Sequence, residues 1–148
     1  MFEFINYIFE YCGNNLNNNI TNLSNNCDYK KYNYDYKKYN YDKKYLEITE
    51  KIAELSYAER KKVGSIIVKN SVINADGFNG TQKGFENNCE NELGYTKWYT
   101  LHCEANAITK LVRTGGVSAE GSTLYITLSP CKECAKLIFT IWNIKSNI

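Results

Sequence analysis

From residue 42 onward, apolar and polar positions recur in runs that predict six elements. Tyr45, Ile48, Ile52 and Leu55 fall at helical spacing, with Asp42 as the expected N-cap. Residues 63–68 and 71–75 are apolar, β-branched runs that predict two strands joined by a tight turn at Lys69-Asn70. The polar stretch 76–100, rich in glycine and asparagine, predicts a long loop, and loops of that length in a compact domain tend to be functional. Residues 104–113 predict a helix with Ile108, Leu111 and Val112 on one face, stopped by Gly115-Gly116. A strand over 123–128 comes next. A last helix over 131–144 carries Ile138, Ile141 and Trp142. Helix, strand, strand, helix, strand, helix is the order of a layered α/β domain.

Residues 1–41 have a different character. They hold the run Asn14-Asn15-Leu16-Asn17-Asn18-Asn19, and Asp28-Tyr29-Lys30-Lys31-Tyr32-Asn33-Tyr34 recurs unchanged as Asp35-Tyr36-Lys37-Lys38-Tyr39-Asn40-Tyr41. The seven-residue period lacks the apolar seam of a coiled coil, so a low-complexity, disordered segment is expected over 1–41, with a folded domain over 42–148. Residues 2–11 alone have a short amphipathic pattern. Lysines interleaved with tyrosines can also touch nucleic acid, a reading that stays open as the minor one.

Composition narrows the setting. The formal net charge of +2 argues neither for nor against a polyanionic partner. Six cysteines would fit a disulfide framework, but the start Met1-Phe2-Glu3-Phe4 lacks the basic region of a secretory signal, and Glu3 and Glu10 bracket only a short apolar run. A reduced, cytoplasmic setting with paired cysteines as metal ligands fits better. No apolar stretch approaches the roughly 20 residues of a membrane span, so no membrane role is expected.

The chemistry concentrates in two places. The single histidine lies in His102-Cys103-Glu104-Ala105-Asn106, and Pro130-Cys131-Lys132-Glu133-Cys134 comes beyond the expected strand. One imidazole and two thiolates give Zn²⁺ three ligands, His102, Cys131 and Cys134, and leave a fourth position for water, the mark of a catalytic site. Both groups fall at expected helix N-termini, where unpaired N–H groups and the helix dipole favour thiolates. Zinc so held lowers the pKa of its water to about 7. Glu104, close by but not a ligand, is the candidate catalytic residue that moves protons between water, ring nitrogen and leaving ammonia. H-x-E followed by P-C-x-x-C is the signature of zinc-dependent nucleobase deaminases. A zinc knuckle or redox pair would leave Glu104 and the histidine unexplained. Cys12, Cys27 and Cys89 stand alone as ordinary thiols.

Over residues 41–145 the chain resembles the deoxycytidylate (dCMP) deaminases of bacteria and phages. The likeness rests on Val63-Gly64-Ser65-Ile66-Ile67-Val68, on Gly77-Phe78-Asn79-Gly80-Thr81, on Lys97-Trp98-Tyr99 ahead of the histidine, and on Leu124-Tyr125-Ile126-Thr127-Leu128-Ser129 leading into Pro130-Cys131. The resemblance implies a three-layer α-β-α fold with a mixed sheet. It implies zinc-dependent hydrolysis of dCMP to dUMP and ammonia, feeding thymidylate synthesis, in a homo-oligomer with dCTP and dTTP as effectors. Asn79 would bond the sugar hydroxyl, the Cys103 N–H the pyrimidine O2, and the Ser129 carbonyl the exocyclic amine, with Tyr99 in the substrate region.

The chain departs from its relatives at three points. Gln82 replaces a proline in the loop that bears on triphosphate control. Ala58 replaces a cysteine that would serve a second, structural zinc. Relatives continue past the position of Ile148, so a C-terminally truncated member is expected, its final strands and helix missing and an edge exposed along 123–128. Another cytidine or nucleobase deaminase, and an inactive zinc-binding fragment, remain the alternatives. Arg60, Lys61 and Lys62 are available for a 5′-phosphate, although a solvated helix end explains them equally well.

Overall fold

The computed structural model describes residues 29–115 and 118–142. The elements are α1 (Tyr29–Ala53), β1 (Gly64–Lys69), β2 (Val72–Phe78), β3 (Gly80–Thr81), β4 (Thr100–Leu101), α2 (Cys103–Arg113), β5 (Thr123–Ile126) and α3 (Lys132–Ile141). The helix expected over 2–11, the asparagine run, Cys12, Cys27, Gly116 and residues 143–148 lie outside the described residues. The chain divides into two units, residues 1–40 and 41–148. In the first, the described residues are helical. All five strands, α2 and α3 belong to the second.

Helix α1 begins at Tyr29 rather than at Asp42. No proline or glycine interrupts the Tyr/Lys/Asp repeat, so a helix held by the packing of its later turns extends back through it at little cost per residue. Asp42 is therefore not an N-cap. It sits within the helix, and its carboxylate accepts a bond from the Tyr125 hydroxyl. The inward stripe is also phased differently from the expected one. Tyr45, Leu46 and Ile52 pack on the sheet with Thr49 and Ala53 buried beside them, whereas Ile48 and Leu55 are exposed.

The three longer strands form a sheet of order β2-β1-β5. Ile66, Ile67 and Val68 bury side chains alternately on both faces of the central strand. Ile66, Val68 and Tyr125 meet α1 on one face. Ile67, Ala75 and Leu124 meet Ala107, Ile108 and Leu111 of α2 and Leu137, Ile138, Ile141 and Trp142 of the α3 region on the other. The architecture is the expected three-layer α-β-α. Both pairings in this sheet are antiparallel, so the parallel pairing of a mixed sheet is not among the described residues.

Several boundaries differ from the expected ones for local reasons. The hairpin turn centres on Asn70 and Ser71, both left-handed at φ 53° and 62°, the pair that matches the natural strand twist. A bulge at Ile67/Val68 takes up Asn74, and β2 runs on to Phe78. Strand β5 stops at Ile126, because Thr127 turns to pair with Gly64 through its N–H and its hydroxyl. Val112 is exposed. Two glycines permit close packing. A Cβ on Gly64 would strike Thr49 and Ala53 of α1, and one on Gly77 would strike the Cys103 carbonyl and Ala107 of α2.

Candidate active site

Helix α2 begins at the site because β2 and β1 hold its first turn. The buried Ser65 hydroxyl donates to the Cys103 carbonyl at 2.9 Å, and the Asn106 amide donates to the Phe78 carbonyl at 2.9 Å. His102 and Cys131 are the N-cap residues of α2 and α3, and neither side chain caps its helix. Cys131 thus lies one step ahead of the first turn in which its spacing from Cys134 would put it. Both side chains are free to face the same point, and Cys134 comes up from within the first turn of α3.

The His102 Nδ1 lies 3.5 Å from Cys131 Sγ and 3.5 Å from Cys134 Sγ. The ligand atoms of the three residues lie within 4.8 Å of one another. With Zn–S near 2.3 Å and Zn–N near 2.0–2.1 Å, a tetrahedral ion separates nitrogen from sulfur by roughly 3.5 Å. The donor set and its spacing therefore fit zinc, and Nδ1 is the nitrogen that would bind it.

Glu104 is buried. Burial pushes the Cys134 thiol up, and the neighbouring Glu104 and Cys131 push it further. A metal ion would have to displace that proton, so occupancy and pH are linked. Cys103 is buried and donates from its Sγ to the Glu104 carboxylate at 3.1 Å. Burial first, then the charge of Glu104, keeps it a neutral thiol, which fits its absence from the ligand group. Burial likewise raises Cys89.

A cavity of about 220 Å³ opens over this cluster, with His102, Cys103, Glu104, Cys131, Ser129 and Asn79 in its lining. The structure thus brings together the metal ligands, Glu104, Cys103, Ser129 and Asn79; Cys134 joins the group through its contact with His102 although it does not line the cavity. The Tyr99 ring stacks on Phe85, ring centroids 4.5 Å apart, beside Trp98. The Asn79 side chain is engaged with backbone: its Oδ1 accepts from the Val63 N–H and its Nδ2 donates to the Lys61 carbonyl, both at 2.8 Å.

Glu90 is a site residue that the sequence did not single out. It lies 5% exposed in the expected loop and lines the cavity. Its carboxylate accepts from the N–H groups of Glu59 and Arg60 at 3.2 and 3.5 Å. The only available signal was an acidic residue next to Cys89, and nothing in that pair names a distant backbone partner.

The profile of the cytidine and deoxycytidylate deaminase zinc-binding region matches residues 39–147. The family binds zinc, and His102, Cys131 and Cys134 are the group of this chain that can hold the ion. A deoxycytidylate deaminase of Mycobacterium phage D29 is 32% identical over 105 residues, covering 62% of this chain and 80% of the relative. A probable deoxycytidylate deaminase of Drosophila melanogaster is 37% identical over 98 residues, covering 54% of this chain and 44% of the relative. Among solved structures, the dCMP deaminase of cyanophage S-TIM5 in complex with dCMP and dUMP is 42% identical. It superposes with a TM-score of 0.66, covering 68% of this chain and 74% of that one.

Proposed function

We propose that this chain, which belongs to the cytidine and deoxycytidylate deaminase family, hydrolyses dCMP to dUMP and ammonia, supplying precursor for thymidylate synthesis. The observation that carries the reading is the convergence of His102, Cys131 and Cys134 into one ligand group, with His102, Cys131 and the buried Glu104 lining one cavity. The likeness to a deaminase solved with dCMP and dUMP names the substrate.

Zinc held by this open set supplies Lewis acidity that makes water nucleophilic near neutral pH. The chain's own residues do the rest. Glu104 takes a proton from water, passes it to the ring nitrogen that must become an N–H, and delivers one to the departing amine. The Cys103 N–H bonds the pyrimidine O2, the Ser129 carbonyl takes the exocyclic amine, and Asn79 stands at the sugar. Asn79 retains capacity for that contact, since its carbonyl oxygen has a second lone pair and its amide a second hydrogen. Tyr99 stands in the substrate region, its ring stacked on Phe85. Residues 42–148 form the catalytic unit, and residues 1–41 a low-complexity arm. We further read the enzyme as a cytoplasmic homo-oligomer responsive to dCTP and dTTP. No helix among the described residues is long and apolar enough to cross a membrane.

The test is to purify the chain, measure zinc per chain, and follow ammonia release from dCMP, CMP and cytidine. Stoichiometric zinc and a preference for dCMP are expected. Equal kcat/KM on all three substrates overturns the specificity, and full zinc retention in a His102→Ala, Cys131→Ala double variant overturns the ligand set.

A further inference from the structure

We infer that the side chain of Cys103 is a positioning residue for Glu104: its thiol holds Oε2 and leaves Oε1 as the oxygen that exchanges protons in the cavity. The inference rests on the proposed hydrolysis and adds to it the group that aims the carboxylate. It concerns the sulfur alone, since the backbone N–H of Cys103 has a separate task at the base.

A buried cysteine usually serves as a small apolar filler. Cys103 is fully buried yet belongs to neither apolar cluster of the core. Its Sγ instead donates to Glu104 Oε2 at 3.1 Å. The residue is fixed by its backbone before the side chain makes this bond. The buried Ser65 hydroxyl on β1 donates to the Cys103 carbonyl at 2.9 Å and lies 3.5 Å from the Gly77 carbonyl on β2. That same Cys103 carbonyl packs so closely on Gly77 that no Cβ fits between them. Two strands therefore set where the sulfur stands, and the sulfur sets where Oε2 stands.

Glu104 requires such a partner. It is buried and meets the cavity by a narrow part of its surface. A carboxylate taken out of water is unfavourable unless its bonds are replaced, and a general acid or base works only within hydrogen-bond reach of the proton it moves. Cys134 also lies within hydrogen-bond reach of this carboxylate. A sulfur that binds a metal ion has given up its proton, so in the loaded site Cys134 has no hydrogen to offer and the bond from Cys103 remains. An S–H is a weak donor. It can orient one oxygen without drawing away the basicity that the other must use.

The test compares the zinc-loaded parent chain with Cys103→Ala and Cys103→Ser, measuring kcat and KM for dCMP and zinc per chain. Loss of the donor should lower kcat about twofold to tenfold, the range of one modest hydrogen bond, with KM and zinc content held. Serine restores a donor at the same place and should recover most of that loss. A Cys103→Ala chain with the parent's kcat overturns the inference, as does an equal loss in both variants or a loss that follows zinc content. Infrared spectroscopy reads the contact without turnover. The S–H stretching band that disappears in Cys103→Ala should move to higher frequency in Glu104→Ala, where the acceptor is gone, and a band that stays in place overturns the inference. If the parent chain deaminates no cytosine compound and the band moves, the deaminase reading fails and the positioning of Glu104 by Cys103 stands.

Discussion

The metal group of His102, Cys131 and Cys134, the floor of the site, takes its place from the starts of two helices, whereas the rim, Arg60 and Lys61, takes its place from an irregular segment held by its backbone. The floor is fixed by regular structure and by packing across the sheet. The rim is fixed by two polar side chains that replace the missing ladder. The floor carries the ligand group that can hold a metal ion, while the rim borders the same cavity without regular structure. The contrast makes separable predictions.

The largest effect should come from the floor. Glu104→Gln keeps the shape of the side chain and removes its basicity, so ammonia release should fall by about 10² to 10⁴-fold with zinc content unchanged. Metal analysis beside the assay checks this, and near-normal turnover or a zinc-free protein would contradict the role given to Glu104.

Next comes the joint between floor and sheet. Gly77→Ala drives a methyl into the Cys103 carbonyl and Ala107, which should cost about 1–3 kcal/mol by overpacking and lower zinc occupancy as the start of α2 is displaced. Gly80→Ala meets only the Phe78 ring at ordinary distance and is the control, with a near-neutral melt. Equal melting temperatures for the two variants would remove the close approach as an explanation.

At the rim, Asn79→Ala leaves the Val63 N–H and the Lys61 carbonyl without their partner. A loss of about 1–3 kcal/mol is expected, with faster hydrogen exchange confined to residues 59–63. Exchange that instead accelerates throughout α2 would show that rim and floor are not independent.

The smallest effect lies on the far face of the sheet. Burial first, then Asp42, raises the Tyr125 phenol above its ordinary 10.0. Its neutral form is therefore the one the fold prefers. That contribution is complete below about pH 10 and is lost as pH rises from there through the higher folded value. Tyr125→Phe should lower stability by about 1 kcal/mol near neutrality, Asp42 being partly solvated, and should flatten the alkaline decline. Urea melts at pH 8 and pH 10.5 decide it, and parallel declines in both proteins would refute the link.

The same contrast governs what could be read from the chain. His102, Glu104, Cys131 and Cys134 were legible because metal chemistry restricts residue type and spacing together, and the strands were legible because Ile66-Ile67-Val68 has to fill two faces. Asn79 was legible as a residue but not in its partners, since a side chain bonded to distant backbone leaves no mark on the sequence at the other end. Glu90 was not legible for the same reason. Asp42 was misread because the helix runs back through the Tyr/Lys/Asp repeat to Tyr29 and leaves no helix start there to cap. Tyr99 was placed in the substrate region by family likeness, and its ring contacts with Phe85 and Trp98 left no mark in the sequence.

Gly64 and Gly77 stand in neighbouring register pairs, Gly64↔Phe78 and Ser65↔Gly77, and they admit helices from opposite sides of the sheet. The three layers are clamped most closely at the end of β1 that adjoins the reacting cavity, and the opposite end carries the exposed Val72 and Ile73 of the hairpin. Mechanically this is a vice with its jaws at the chemistry. A side chain at either glycine would pry a helix off the sheet at that end, and at Gly77 it would act directly on the turn that carries Cys103 and Glu104.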